Sequence, residues 1–474
     1  MTRRVVTVVV LAALVVAGAV VDRRVHRSRP ASASVAAGRL DRGAQPVAAP
    51  PSALSASYYC VGGLSLKPFI NDARLLIVNT GSAALTGIVT YDPADGTESS
   101  VAVNVGPRGR VALKPPPSSY ISATVDLDGG EAVVEWDAIG PYGRSTIPCT
   151  TGASDSWYFA EGATTRDAIE TIEIYNPYPA DAVVDLSFAT EDGHSAPEAV
   201  TGLDVAPHST RVIALNDVVR RREQVSTVVH ARVGRFVAAR LQLFDGSVPG
   251  RKGLSFALGS PSRGTSWSFP EGYVVPGLTE RYLVFNPGEK EARVEVDLLL
   301  EKGEAEPIEL TVPPEGRVTV TSNQESRIPK AVPHAALIRS VNGIGVVAER
   351  RIDSSAPASR SGLAITLGSQ IDARRWGFAA GQADKTVDEW VVVMNPGDAP
   401  AHVDFTVLAS GQPLAVDQLQ DVEIGPGQRR AFRFGDHLQR LSVPLIVESD
   451  RPVVVERDLY PKVGTAMVIG VPLS

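Results

Sequence analysis

The sequence predicts an all-β protein, with four tandem immunoglobulin-like β-sandwich repeats of about 110 residues following an N-terminal transmembrane helix. An aromatic motif recurs, and its Trp157, Trp267 and Trp376 lie 110 and 109 residues apart. Each repeat contains about seven short apolar segments separated by Gly, Pro, Asn and Asp turns, which is typical of a two-sheet sandwich. The chain is 44% hydrophobic but only 6% aromatic, with 42 Gly and 35 Pro in 474 residues, as strand-rich and turn-rich proteins are. A propeller fits less well, because its blades take about 40 to 50 residues.

The N-terminal segment, residues 5–21, is uncharged, has Thr7 as its one polar side chain and follows Arg3 and Arg4. As a helix it would span about 25 Å, slightly less than a membrane core but more than the apolar region of a usual signal peptide. A retained signal anchor and a cleavable signal peptide (residues 1–21) are both open, and retention is favoured because small-residue cleavage sites lie well beyond the apolar run. The Arg residues between 23 and 29 oppose export by the positive-inside tendency. The β repeats and the cysteines favour export of the C-terminal region.

The next segment, residues 22–56, is rich in Ala, Ser, Arg and Pro without strand or helix periodicity, and we expect a flexible linker. Residues 1–50 carry eight Arg and two Asp, so the remaining chain has a net charge of −13. An acidic body argues against nucleic-acid binding, which requires a basic face.

The four repeats occupy residues 57–154, 155–264, 265–373 and 374–474, and are called repeats 1 to 4 below. Repeat 1 is a shorter, degenerate copy, in which Tyr58 stands where the other repeats have Trp. We expect no long helix after residue 21.

The motif that opens repeats 2 to 4 is Trp-x-Phe-x-x-Gly, followed by Asn-Pro. Trp and Phe two residues apart on a strand point to the same face, so we expect a core anchor. An exposed aromatic platform for sugars, including Trp390, is the alternative. Asn-Pro fits a turn that ends a strand. The residues given these structural roles are Trp157, Phe159, Gly162, Asn176, Trp267, Phe269, Gly272, Asn286, Trp376, Phe378, Gly381 and Asn395.

The two cysteines, Cys60 and Cys149, fall in the first and last strands of repeat 1. A disulfide between the ends of this repeat is expected, with two buried free thiols as the alternative. Two Cys cannot form a structural zinc site without two further ligands.

Sites of chemistry are not evident in the sequence. The seven His occur singly, and His194 and His208 lie on turns without cysteine or paired carboxylates at metal spacing. The acidic segments 92–96 and 126–131 resemble fragments of calcium loops, but hairpin turns explain them. There is no nucleophile elbow, Walker loop or Rossmann glycine pattern. We therefore expect no catalytic, metal-binding or cofactor-binding residues and no cofactor.

The Trp-x-Phe-x-x-Gly openings, Asn-Pro turns and Val-rich strands resemble the actinobacterial exported proteins grouped as domain of unknown function 5719, over roughly residues 57–474. The resemblance implies a membrane-anchored or secreted envelope protein without an assigned activity. Glu161 and Glu271 match the motif, whereas Gly62 and Ala380 replace its Glu.

The sequence is compatible with three functions. The leading hypothesis is a non-enzymatic envelope scaffold, held in the membrane through residues 5–21 with its C-terminal region outside the cytoplasm, or secreted after cleavage. Its partner would be an envelope protein or glycan, and not nucleic acid. A carbohydrate-binding array is the alternative, and an enzyme with a site between repeats is the least favoured.

Overall fold

The computed structural model describes residues 45–473 except 63–68, 95–96, 302, 304 and 410. The expected membrane segment and most of the linker lie outside the described residues. Within the described part, no helix is both long and apolar enough to cross a membrane. All described residues belong to one compact unit that covers residues 43–474.

The all-β prediction is confirmed, and the antiparallel sheets are consistent with a β-sandwich architecture. In repeat 1 the strands are β1 (Ala56–Cys60), β2 (Asp72–Asn79), β3 (Leu85–Pro93), β4 (Ser99–Val105), β5 (Arg110–Leu113), β6 (Ile121–Leu127), β7 (Ala132–Gly140) and β8 (Gly143–Pro148). They form two sheets with the orders β1-β6-β3-β4 and β5-β2-β7-β8.

Repeat 2 has the same plan, with one four-stranded sheet and one five-stranded sheet. Its strands are β9 (Ser156–Phe159), β10 (Ala168–Asn176), β11 (Ala182–Thr190), β12 (Gly193–Ser195), β13 (Leu203–Val205), β14 (Ser209–Ala214), β15 (Val225–Val233), β16 (Val237–Asp245) and β17 (Lys252–Leu258). The sheet orders are β14-β10-β16-β17 and β12-β11-β15-β9, with β13 also paired to β11. A 3₁₀ turn covers Glu198–Val200, and the short helix α1 covers Leu215–Val218.

Repeat 3 contains two four-stranded sheets. Its strands are β18 (Ser266–Phe269), β19 (Leu278–Asn286), β20 (Ala292–Leu300), β21 (Ile308–Val312), β22 (Gly316–Thr321), β23 (His334–Ser340), β24 (Val347–Ser354) and β25 (Gly362–Leu367). The sheet orders are β18-β23-β20-β21 and β22-β19-β24-β25.

In repeat 4 one long strand, β32, takes part in both sheets. The strands are β26 (Ala373–Phe378), β27 (Val387–Asn395), β28 (Ala401–Ala409), β29 (Gln412–Ala415), β30 (Val422–Ile424), β31 (Gln428–Arg433), β32 (Leu445–Pro461), β33 (Ala466–Ile469) and β34 (Val471–Pro472), with a 3₁₀ turn at Phe434–Asp436. The pairs β31-β27, β27-β32 and β32-β33 follow the same order as the sheets β5-β2-β7-β8, β14-β10-β16-β17 and β22-β19-β24-β25.

The motif tryptophans lie in the core. Trp157, Trp267 and Trp376 are at most 1% exposed, and each indole N–H donates to a backbone carbonyl at 2.7 to 3.1 Å. This is the position that a core anchor requires. These three rings are therefore not a sugar platform, whereas Trp390 is only partly buried.

The turn Asn has the same role in every repeat. Asn286 donates from Nδ2 to the carbonyls of Lys290 at 2.8 Å and Val312 at 3.2 Å, and its Oδ1 accepts the N–H of Gly288 at 3.0 Å. The corresponding contacts are made by Asn79, Asn176 and Asn395. The side chain thus ties the turn to a neighbouring strand.

The expected disulfide between Cys60 and Cys149 is confirmed. Residues 45–49, which we expected to belong to the flexible linker, are packed against the repeats. Ala48 is 3% exposed and donates its N–H to the carbonyl of Pro472, and the carbonyl of Ala49 accepts the N–H of Glu131.

One edge strand from each repeat faces a common axis. β8 contacts β17, β17 contacts β25, β25 contacts β33, and β33 contacts β8, so these four inner strands close a circle. Equivalent glycines, Gly143, Gly253, Gly362 and Gly464, lie where these segments meet, and all four have positive φ. The segments can approach closely because glycine has no Cβ. A Cβ on Gly362 would lie 2.6 Å from the Gly464 Cα.

Candidate functional site

Buried ion pairs join neighbouring repeats. Arg240 of repeat 2 donates to both carboxylate oxygens of Glu349 of repeat 3, at 2.9 and 3.1 Å. Glu349 also accepts the backbone N–H of Glu161, the motif Glu of repeat 2, at 2.6 Å. Both charged side chains of the pair are fully buried. Each carboxylate oxygen is thus satisfied by groups of the preceding repeat.

The same arrangement joins repeats 3 and 4. Arg350 contacts Glu456, and Glu456 accepts the N–H of the next motif Glu, Glu271, at 3.2 Å. Glu349 and Glu456 are equivalent because each pairs with the residue three places before the conserved turn Asn. Burial raises the pKa of Glu456, an effect that the Arg350 charge opposes.

The junction of repeats 4 and 1 keeps the hydrogen bond to the buried Glu, whereas the equivalent Arg457 pairs with Glu389 of its own repeat at 2.9 Å. Glu135 accepts the N–H of Ala380 at 2.7 Å, and burial raises its pKa to about 7, which this hydrogen bond and the nearby Arg457 charge oppose. Arg110 and Arg144 of repeat 1 also donate to Ser442 and Gln382 of repeat 4, at 2.8 and 3.3 Å.

The junction between repeats 1 and 2 has lost this pair. Trp136 and Ala239 stand at the equivalent positions, so cation and anion are replaced together. Removing both partners leaves no unpaired buried charge, and hydrophobic replacement of a whole ion pair is often neutral. The buried Glu173 lies close to Gly62 here, and burial raises its pKa to about 8.

The motif Glu residues receive cations from the following repeat. Glu161 lies 3.1 Å from Arg317 and 2.8 Å from Arg351, and Glu271 contacts Arg429. The Arg cations lower the pKa of Glu161 despite the opposing effect of burial. These pairs could not be found from sequence spacing, because their members belong to different repeats. The adjacent Glu349-Arg350 in β24 was the available signal, since its opposite-facing side chains reach repeats 2 and 4.

A cleft of about 330 Å³ lies between repeats 3 and 4. It is within the range of small-molecule sites. It combines an apolar wall with aromatic, hydroxyl and carboxyl side chains. The lining residues used below are Val275, Leu278, Trp390, Asp458, Tyr460 and Met467.

The residue that distinguishes this junction is Asp458. Its equivalents are Leu241 in repeat 2 and Arg351 in repeat 3, each paired with the residue five places before the turn Asn. Between repeats 2 and 3, Arg351 bridges Glu161 and Asp353 within the junction. The shorter Asp458 makes no such bridge among the described residues.

Asp458 is 1% exposed, and its Oδ1 has no hydrogen-bond partner among the described residues. Its Oδ2 accepts from the Tyr460 hydroxyl at 3.3 Å. Burial, together with the charges of Glu456 and Glu271, raises the pKa of Asp458 well above its ordinary value. A neutral carboxyl group at this place can donate one hydrogen bond and accept another.

Charged groups around the cleft are paired with one another. The guanidinium of Arg360 stacks on Tyr460 at 3.5 Å, lies 5.3 Å from the Trp390 ring and is 3.9 Å from Asp388. Glu271 is bound by Arg429, as described above. Among the described lining residues, Asp458 is therefore the buried polar group with an unused hydrogen-bonding atom.

A second, smaller cavity of about 60 Å³ lies on the axis between the inner strands. Gln45 borders it and accepts from the hydroxyl of Ser369 at 2.7 Å. The cavity is too small for a ligand of ordinary size.

Comparisons with known proteins give a family match without an activity. No curated protein sequence matches the chain. Among solved structures, Thermotoga maritima 1070 is 22% identical, covering 23% of this chain and 95% of its own, with a TM-score of 0.21. The Anabaena sensory rhodopsin transducer is 28% identical, covering 18% of this chain and 80% of its own, with a TM-score of 0.17. The tetra-tandem repeat in the extending region of a large adhesion protein is 10% identical, covering 87% and 98%, with a TM-score of 0.10.

The family comparison agrees with the resemblance carried by the repeats. Residues 134–337, from the end of repeat 1 to the last part of repeat 3, match the model of the family of unknown function DUF5719.

Proposed function

We propose that the protein is a non-enzymatic, extracytoplasmic component of the cell envelope that binds a saccharide unit in the cleft between repeats 3 and 4. The observation that carries this proposal is Asp458, a buried carboxyl group with an unpartnered oxygen that lines a cavity of about 330 Å³. Burying a polar atom without a partner costs about 1 to 3 kcal/mol, so a ligand that supplies the partner would recover that free energy.

The packing of the repeats against one another gives the cleft a rigid support. We interpret them as four tandem immunoglobulin-like sandwiches, because equivalent sheet orders recur and each motif Trp occupies a core position. The buried ion pairs and the closed circle of inner strands hold repeat 3 against repeat 4. The apolar segment at residues 5–21 would retain this body at the membrane, with secretion after cleavage as the alternative.

A neutral, hydroxyl-rich ligand fits the cleft better than an ion. The neighbouring charges already have partners, so an added ion would have to displace one of them. A sugar hydroxyl can donate to the free oxygen of Asp458 or accept from it, whichever the position of the carboxyl proton requires. The C–H face of a sugar ring suits the apolar wall formed by Val275, Leu278 and Met467, with Trp390 alongside.

The test is a fluorescence titration of the full-length protein, purified in detergent, with mono- and disaccharides of bacterial envelope glycans. Trp390 should report binding, because the other four Trp residues are at most 2% exposed. Binding should shift the emission of the wild type but not that of Trp390→Phe.

The matched variant is Asp458→Leu, which copies Leu241 at the equivalent position of repeat 2. It should leave the melting temperature near that of the wild type and weaken saccharide binding at least tenfold. Equal affinity in wild type and Asp458→Leu would overturn the proposal, as would absence of binding to every saccharide. Hydrolysis of a bound glycan that Asp458→Asn abolishes would assign an enzyme instead.

A scaffold that binds another envelope protein is the second candidate. The closed circle favours it, because a rigid body presents a constant surface to a partner. Crosslinking of the full-length protein in its own membranes tests it, and a crosslinked protein partner that is unaffected by Asp458→Leu would favour this candidate over the saccharide.

A further inference from the structure

The junction between repeats 1 and 2 brings together three potential metal ligands from both repeats. Asp92 lies near the end of β3, Glu98 precedes β4, and His208 lies in the turn before β14. One ligand atom from each of these side chains lies within 4.8 Å of the other two. His208 was expected to lack paired carboxylates, and its sequence neighbours do lack them. The fold supplies them from the preceding repeat.

The buried member of this cluster has an unused oxygen. Asp92 is 4% exposed, and its Oδ1 has no hydrogen-bond partner among the described residues. The other oxygen accepts from the hydroxyl of Tyr175, which lies 2.8 Å from the Thr124 hydroxyl. The carboxylate is therefore held in one orientation by groups of both repeats, as the outer partners of metal ligands commonly do. A bound cation would satisfy the remaining oxygen.

We propose that Asp92, Glu98 and His208 bind a divalent transition-metal ion, with Zn²⁺ as the best match, across the junction of repeats 1 and 2. One imidazole and two carboxylates supply three ligands, and water would complete a tetrahedral site. Ca²⁺ and Mg²⁺ match less well, because both prefer oxygen ligands throughout.

The proposed site lies at the junction of repeats 1 and 2, which lacks the buried Glu found at the other junctions. The other junctions, between repeats 2 and 3, 3 and 4, and 4 and 1, each contain a buried Glu that accepts from the preceding repeat. Here that Glu is replaced by Ala239, and the Arg position by Trp136. Hydroxyl contacts remain, such as Ser122 with Thr210 at 2.6 Å. A metal ion would add a strong bond at this junction.

The experiment measures Zn²⁺ binding by untagged, full-length protein after removal of metal with a chelator. Competition with a chromophoric zinc chelator should show one equivalent of tightly bound Zn²⁺. Co²⁺ should give visible absorption bands that identify a nitrogen and oxygen ligand set. Zn²⁺ but not Mg²⁺ should raise the melting temperature.

Two variants separate this site from adventitious binding. His208→Ala should weaken Zn²⁺ binding at least tenfold, and Asp92→Asn should do the same. The control His194→Ala removes another histidine of repeat 2, which lies 3.8 Å from Glu315, and should bind as the wild type does. Equal Zn²⁺ binding by wild type and His208→Ala would overturn the proposal, as would a lack of binding by the wild type at micromolar Zn²⁺. His208 is exposed, so its loss should not prevent folding. The result is independent of saccharide binding, which concerns a different junction.

Discussion

The buried ion pair of Arg240 and Glu349, between repeats 2 and 3, should matter for stability mainly because each charge neutralises the other. In Glu349→Ala the fully buried Arg240 loses its carboxylate, and the N–H of Glu161 loses its acceptor. Leaving one member of a buried ion pair alone costs about 3 to 5 kcal/mol. We therefore expect Glu349→Ala to lower the free energy of unfolding by about 4 kcal/mol.

The double variant Arg240→Met/Glu349→Ala should be more stable than Glu349→Ala. It imitates the junction of repeats 1 and 2, where Trp136 and Ala239 replace both charges. Because no isolated buried charge remains, we expect a total loss of about 1 to 2 kcal/mol, which corresponds to a coupling of at least about 2 kcal/mol. The exposed pair of Arg232 and Asp185 is the control, and Arg232→Met should cost less than about 1 kcal/mol.

Calorimetry measures the effect and also reports the size of the cooperative unit. Unfolding entropy is about 2.1 cal/mol/K per residue, so a loss of 4 kcal/mol lowers the melting temperature by about 4 °C if all repeats unfold together. It lowers the temperature by about 17 °C if a single repeat of about 110 residues unfolds alone. A double variant that is less stable than Glu349→Ala would refute the compensation argument.

Three further effects should be measurable. Reduction of the disulfide between Cys60 and Cys149 should destabilise repeat 1 by about 4 kcal/mol, given the separation of 89 residues, and an unchanged urea midpoint after reduction would contradict this. Gly362→Ala should cost about 3 kcal/mol in urea unfolding, since the added Cβ would meet the backbone of Gly464 and Thr465, which precede β33; Gly343→Ala, with positive φ but open space, should cost about 1 kcal/mol, and equal losses would argue against close packing at the axis. Glu173 has its pKa raised to about 8 by burial, so the folded state binds its proton more tightly than the unfolded state does; this stabilisation, at most about 5 kcal/mol, is present at low pH and lost as pH rises from about 4.5 through about 8. Glu173→Gln should reduce that loss, and an identical pH profile in the variant would be inconsistent with a buried neutral carboxyl.

Much of the local structure could be predicted because it depends on neighbouring residues. Alternating apolar residues, Asn-Pro turns and the recurring Trp motif indicate strands and their core face, and the structure places Trp267 and Asn286 accordingly. The disulfide could be predicted because Cys60 and Cys149 fall in terminal strands of one repeat.

The candidate sites could not be predicted, because their residues come from different repeats. No local sequence feature distinguishes Asp458 from the other acidic residues. Its unused oxygen depends on how repeat 3 packs against repeat 4. His208 lacks ligands nearby in sequence and acquires Asp92 and Glu98 only when repeat 2 packs on repeat 1.

The amino-acid sequence by itself determined the strand pattern, the repeat period and the residues that anchor each core, because alternation and turn chemistry act over a few residues. The tertiary structure alone decided that repeat 4 meets repeat 1 and that Arg240 finds Glu349. It also decided that Asp458 lines a cleft where Arg351 fills the equivalent place. The physical reason is that partners about 110 residues apart in the chain are selected by the packing of whole sheets, which no local pattern encodes.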